Sequence, residues 1–214
     1  MCYIFNQKIT VLQVLGIQKR GCKTKEQLLN NIINIDENGT GTNVNSRGIY
    51  LGTNSTGISI TGNTIGSSGG IDSESIFIDD GSNNINILGN YIGTDQNNNN
   101  YGGLVGVYIQ TGCDNNYVNG NTIAYNQTGV SVLSDLNRVD ENDFFCNSLK
   151  AIDLNGGQGN NNLQPPTITS ATPDLIEGTV PSEGAVCIYL QNTCFNDACQ
   201  GIFELYVNTD GNGN

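Results

Sequence analysis

Hydrophobic residues in this chain come singly, two positions apart, between runs of Asn, Gly, Ser and Thr. Residues 48–65 read GIYLGTNSTGISITGNTI, residues 75–92 read SIFIDDGSNNINILGNYI, and residues 106–123 read GVYIQTGCDNNYVNGNTI; the three align without a gap. A fourth copy at 129–144 (GVSVLSDLNRVDENDF) is two residues shorter. A fifth opens at residue 151 (AIDL), and a partial earlier one ends at residues 28–33 (LLNNII). Each copy holds an Ile-x-Leu and then an Ile-x-Ile alternation, the period of short strands, with no helical periodicity.

Stacked in register, the copies predict four apolar columns. They are Ile49, Ile76, Val107, Val130, Ile152; Leu51, Ile78, Ile109, Val132, Leu154; Leu28, Ile60, Ile87, Val118, Val139; and Ile33, Ile65, Ile92, Ile123, Phe144. Side chains of one parity share a face. One coil cannot bury such a face, but stacked coils make a continuous core. The expected fold is therefore all-β, a parallel β-helix of about five coils. A polar column, Asn31, Asn63, Asn90, Asn121 and Asn142, falls at the same step of every copy. An amide both donates and accepts, so these residues are expected to form a structural ladder rather than a catalytic set. The segments between copies are long at 34–47 and 93–105, intermediate at 66–74 and short at 124–128 and 145–150. They leave from one edge and should form a ragged rim.

Three regions follow: residues 1–27 as an N-terminal cap or the remnant of a preceding coil, 28–160 as the coil stack, and 161–214 as the start of a small β-sandwich module. Pro165-Pro166 marks the last boundary, because proline cannot donate to a strand ladder. Strand candidates follow at 167–169, 176–180, 185–190 and 202–207, and the module's returning strand is expected beyond Asn214. Asp210, Asn212 and Asn214 have calcium-loop spacing but no bidentate Glu after them, and read as a hairpin turn. The apolar run at 9–17 (ITVLQVLGI) lacks a small-residue cleavage site and is too short to span a membrane. The chain is expected to belong to a longer protein with further domains.

Charge narrows the partners. The net charge is −12, and beyond Lys25 three basic residues face all 20 acidic ones. Such a surface repels nucleic acid and anionic membrane. Seven cysteines include no CxxC pair, and histidine is absent, which argues against a zinc site. Cys194 and Cys199, with Cys187 near them, are the expected disulfide.

The pattern resembles the bacterial right-handed β-helix repeat family, whose fold is shared with pectate lyases. The likeness is to large secreted surface proteins with GN-x-IGT repeats, seen here in residues 62–66 (GNTIG) and 89–95 (GNYIGTD). Their helix end is matched by residues 151–154 (AIDL), the GGQGNNN stretch and residues 162–166 (NLQPP). The resemblance covers roughly residues 28–214 and implies right-handed coiling, a small β-sandwich after the helix, and a secreted or cell-surface location of bacterial type. It does not imply one activity, because the family is functionally mixed.

In the resembling enzymes the active site lies on the outer face of one parallel sheet. Here the outward positions between the first two apolar columns are Tyr50, Phe77, Tyr108, Ser131 and Asp153. Gly52, Asp79 and Gln110 lie one step on, and Arg47 and Glu74 lie before them. Aromatic rings suit sugar C–H faces, and carboxylates and amides suit hydroxyls, so Tyr50, Phe77, Tyr108, Asp79, Gln110 and Asp153 are the candidate ligand-binding set. A cross-strand aromatic ladder that merely stabilises the sheet is the competing reading. A catalytic reading lacks parts. Asp79 and Asp80 are neighbours that alternation should point apart. Asp79 and Asp153 stand about three coils apart, roughly 14 Å at ~4.8 Å each, too far for a glycosidase pair. The histidine motifs of polygalacturonases and alginate epimerases have no counterpart. Arg47 and Asp79 are the only lyase-like candidates, and a surface ion pair of Arg47 with Glu74 is the favoured account of Arg47. No cofactor is expected; loop acids Asp36, Glu37, Asp72 and Asp95 are the residues that stacked rim loops would offer to Ca²⁺. The sequence thus favours a non-enzymatic module, a stalk or polysaccharide binder, over a polysaccharide lyase-like enzyme on the same face.

Overall fold

The computed structural model describes residues 3–5, 8–9, 17–20, 26–35, 47–67, 73–164, 166–172, 174–180, 185–191 and 201–208. The chain enters with β1 (Tyr3–Phe5), β2 (Lys8–Ile9) and β3 (Ile17–Arg20), one strand for each of three sheets. The same order recurs through β4 (Glu26–Leu29), β5 (Ile32–Ile33) and β6 (Ile49–Gly52), then β7 (Ile58–Thr61), β8 (Thr64–Ile65) and β9 (Glu74–Ile78). It continues with β10 (Asn86–Leu88), β11 (Tyr91–Ile92) and β12 (Val105–Ile109), and with β13 (Tyr117–Asn119), β14 (Thr122–Ala124) and β15 (Thr128–Val132). The last round is β16 (Arg138–Asp140), β17 (Asp143–Phe145) and β18 (Lys150–Asp153). Strands β1, β4, β7, β10, β13 and β16 form the first sheet, β2 through β17 by threes the second, and β3 through β18 by threes the third. Every pairing within these rounds is parallel. The protein is thus nearly all β, with three parallel sheets visited in turn, an arrangement compatible with a parallel β-helix.

Register follows the repeat. Ile49 pairs with Ile76, Ile76 with Val107, Val107 with Val130, and Val130 with Ile152. In the first sheet Leu28, Ile60, Ile87, Val118 and Val139 stand in line. A slip by one residue would turn each row outward, so burial fixes the register. These rows form one core, fully buried in the middle rounds, with Val139, Ile152 and Leu154 of the last round only partly covered.

The alternation breaks once per round, where the chain enters the third sheet. A Cβ on Gly48, Gly106 or Gly129 would press on Ile65, Ile123 or Phe144 of the second sheet, although the next residues, Ile49, Val107 and Val130, also face the core. Two consecutive residues point inward there, and only a small one fits first. Ser75 fills the same place in the β9 round and is buried.

After β18, Asn155, Gly156 and then Asn160, Asn161 and Asn162 take left-handed backbone angles, which Asn and Gly tolerate best. The chain then forms an antiparallel hairpin, β19 (Thr167–Thr172) with β20 (Leu175–Thr179). A second hairpin, β21 (Ala185–Gln191) with β22 (Gly201–Asn208), extends the second sheet, because β22 pairs antiparallel with β17 at Phe144 and Gly201. Among the described residues no helix is long and apolar enough to cross a membrane.

Candidate functional site

The outer face of the third sheet carries the aromatic row. Tyr50 pairs with Phe77 and Phe77 with Tyr108, and the row continues as Ser131 and Asp153. The rings stack on one another, with centroids 5.8 and 5.2 Å apart and interplanar angles of 18° and 27°. Stacking consumes ring faces. Phe77, between two neighbours, is only 5% exposed, while Tyr50 and Tyr108 are half-buried.

Arg47 closes the middle of the row. Its guanidinium lies 4.0 Å from the Phe77 ring centroid and 5.7 Å from that of Tyr50. Its Nε donates to Glu74 Oε2 at 2.9 Å, with the Arg and Glu side chains 30% and 11% exposed. The sequence suggested a surface ion pair; the structure has a half-sheltered one laid across an aromatic ring, a geometry that favours Arg. The inward turn at Gly48 and Ser75 lets it form, because it leaves Arg47 and Glu74 on the outer side with Phe77.

Asp79 and Asp80 require a correction. Strand alternation should separate their carboxylates, yet both meet one phenol: Tyr50 donates to Asp80 Oδ2 at 3.2 Å and lies 3.4 Å from Asp79 Oδ2. Asp80 has a φ of +50°, which ends the alternation at the strand's exit. Gly52 supplies the room, since a Cβ there would lie 2.6 Å from the Tyr50 hydroxyl. Partial burial raises the Tyr50 pKa above its usual 10.0, and the charges of Asp79 and Asp80 raise it further. Tyr108 is raised too, by burial first and then by Glu74 and Asp79. Both phenols therefore stay protonated at neutral pH and serve as donors.

The remaining candidates are spoken for locally. Gln110 Oε1 accepts from the Thr111 amide at 3.2 Å. Asp153 accepts from Lys150 Nζ at 2.8 Å. On the rim, Asp95 accepts from the Asn97 and Asn99 amides, the Asn99 side chain and the Tyr101 hydroxyl at 2.9 to 3.3 Å. Burial pushes its pKa up, but these hydrogen bonds outweigh burial and the net shift is downward. Asp95 thus ties its own loop. Asp36, Glu37 and Asp72 lie outside the described residues. Among the described residues no group of three metal-ligating side chains comes together.

The Asn column is continuous. Each Nδ2 of Asn31, Asn63, Asn90 and Asn121 donates to the Oδ1 of the asparagine in the next round, at 2.9 to 3.0 Å. The same oxygens accept the backbone N–H groups of Asn31, Asn63, Asn90 and Asn121 at 2.9 to 3.0 Å. Two further amide stacks escaped the sequence reading. Asn116 Nδ2 donates to Asn137 Oδ1 at 3.0 Å, and the Asn137 backbone N–H to Asn160 Oδ1 at 2.9 Å; Asn126 stacks on Asn147. The available signal was weak: Asn116 and Asn137 each stand five residues before a ladder asparagine, but Ile85 holds that place in the preceding copy.

Cys113 is a buried free thiol, and Cys146 is disulfide-bonded. Cys194 and Cys199 lie outside the described residues. No family model, no curated protein and no solved structure matches this chain.

Proposed function

We propose that this chain is a right-handed parallel β-helix, its six rounds of the bacterial GN-x-IGT repeat type, serving without catalysis as a stalk-like module of a secreted or cell-surface protein. Right-handed crossover is the sense taken by nearly all parallel strand connections. The bonded Cys146 suits an oxidising compartment.

The observation that carries the functional reading is the saturation of the candidate face. Arg47 is held by Glu74 and Phe77, Asp79 and Asp80 by Tyr50, and Lys150 by Asp153. A general base must be free to take a proton, and the Arg47 guanidinium is engaged by a carboxylate and a ring face. A face in which cations, rings and carboxylates satisfy one another adds stiffness to a stack of coils. Polysaccharide is the ligand we assign to the face, held at the rims of Tyr50 and Tyr108 and by the polar edge of Asp79, Gln110 and Asp153, each of which keeps hydrogen-bonding capacity beyond the single bond named for it.

Affinity electrophoresis of the purified chain through gels containing neutral or anionic polysaccharides, with calcium or chelator, tests this reading. Retardation with the polysaccharide left intact supports stalk and binder together. Unretarded migration in every gel removes the glycan and leaves the stalk. A cleared zone overturns the non-enzymatic reading in favour of a lyase-like enzyme.

A further inference from the structure

Two Asn-Gly steps fall within the described residues, Asn119-Gly120 and Asn155-Gly156. Such a step invites an internal reaction, because glycine has no Cβ to shield its backbone nitrogen from the asparagine side chain before it. The structure treats the two differently. Asn119 is half-buried at the end of β13, which pairs with β10 on one side and β16 on the other. Its Nδ2 donates to Asp140 O at 3.3 Å, Asp140 Oδ1 at 2.8 Å and Glu141 Oε2 at 2.9 Å. Main chain and side chain are both held. Asn155 and Gly156 are exposed, and the Asn155 side chain makes no hydrogen bond to a described residue. Their turn is loose inside a fixed frame. The frame is the Gly159 N–H on Leu154 O and the Asn160 N–H on Ser134 O, both at 2.9 Å, with the Asn161 N–H on Asp135 Oδ1 at 2.6 Å. Inside it, the Gln158 N–H reaches Asn155 O only at 3.4 Å, a long bond.

We propose that Asn155 is a site of spontaneous modification, converted to isoaspartate, and that the conversion loosens the segment crossing the end of the last coil. The Gly156 backbone nitrogen attacks Asn155 Cγ. An N–Cγ bond forms, the Cγ–Nδ2 bond breaks, and ammonia leaves with the proton of the attacking amide. Water then opens the cyclic imide. Opening at Cγ gives aspartate; opening at the main-chain carbonyl gives isoaspartate, whose main chain runs on through Cβ and Cγ. The exposed turn allows the rotation that the attack needs, whereas Asn119 must first leave its strand and three hydrogen bonds. Isoaspartate lengthens the main chain by one atom between Leu154 and Gly159. That span has no slack, because Gly159 is buried against the coil, where a Cβ would lie 2.2 Å from Val132 O. The Gly159 N–H therefore loses its place on Leu154 O, and the neighbouring Asn160 bond to Ser134 weakens with it.

The test ages the folded full chain at mildly alkaline pH and follows both Asn-Gly steps by peptide mapping with mass spectrometry. Asn155 is expected to convert at least about tenfold faster than Asn119, since only Asn119 must break local bonds first. Amide exchange of Gly159 and Asn160 should quicken in the aged protein, while the Asn90 amide in the ladder stays unchanged. Asn155→Asp supplies the new charge without the extra main-chain atom, and its Gly159 amide should exchange as in the fresh wild type. Equal conversion at the two steps, or an intact Asn155, would overturn the site. Unchanged Gly159 exchange after conversion, or the same quickening in Asn155→Asp, would overturn the loosening by the longer main chain.

Discussion

Asn90→Ala isolates the force that holds the rounds in register. Asn90 is 1% exposed. Its Oδ1 accepts from the Asn63 backbone amide and from Asn63 Nδ2, both at 2.9 Å, and its Nδ2 donates to Ile60 O and Asn121 Oδ1, both at 2.9 Å. Alanine removes all four. Asn63 Nδ2 keeps Leu28 O and Thr61 O, and Asn121 Oδ1 keeps the backbone amide of residue 90. The Asn63 amide is left dry, and Ile60 O loses a donor. At about 1–3 kcal/mol for each buried group without a partner, the cost is about 3–5 kcal/mol with the small cavity included. For a chain of this length that lowers the thermal midpoint by roughly 10 °C, at about 2–4 °C per kcal/mol. Circular dichroism melts would measure it, with Asn86→Ala on the exposed outer face as the control, expected within about 0.5 kcal/mol of wild type. Equal midpoints for the two variants would refute the ladder's energetic role.

Three further outcomes follow from single sites. Gly106→Ala puts a Cβ 2.6 Å from Gly129 O and 2.9 Å from an Ile123 methyl, so chemical denaturation should show a loss of about 1–3 kcal/mol from overpacking, and an unchanged midpoint would mean the corner has slack. Asp95 has a folded pKa below the usual 3.8; its contribution is therefore present above pH 3.8 and lost as pH falls through the lower folded value. Exchange of the Asn97 and Asn99 amides should thus stay slow at pH 4 and quicken below 3.8, and quickening already at pH 6 would contradict the Asp95 tether. The Tyr50 phenol should titrate above 10.0, and the Asp79→Asn, Asp80→Asn double variant should bring it down, as read by carbon NMR of its ring; no movement would show that the carboxylates do not act on it.

Much of the stack was legible because the repeat carries it. Three gapless copies align the rows Ile49–Ile76–Val107 and Asn63–Asn90–Asn121 by counting alone, and burial of the apolar rows leaves one register. The late strands at 167–172, 175–179, 185–191 and 201–208 overlap the segments bounded by Pro165-Pro166 and the turn residues. What the sequence hid lies where the backbone leaves the strand pattern. The left-handed angle at Asp80 brought Asp79 and Asp80 onto one phenol. The double inward step at Gly48 and Ser75 set Arg47 against Phe77. Neither shows in a period-2 count. A cross-strand aromatic ladder was one of the readings open for Tyr50, Phe77 and Tyr108, and their rings do stack; what the sequence does not say is that Arg47 closes over Phe77.

Hydrogen exchange followed amide by amide tests the stacked-sheet account most directly. If three parallel sheets share one core, the amides of Asn63, Asn90 and Asn121 and those of the inward strand residues should form a single slow class, with the exposed rim residues Gln96 and Asn100 exchanging fast. Ladder amides that exchange as quickly as that rim would contradict the account.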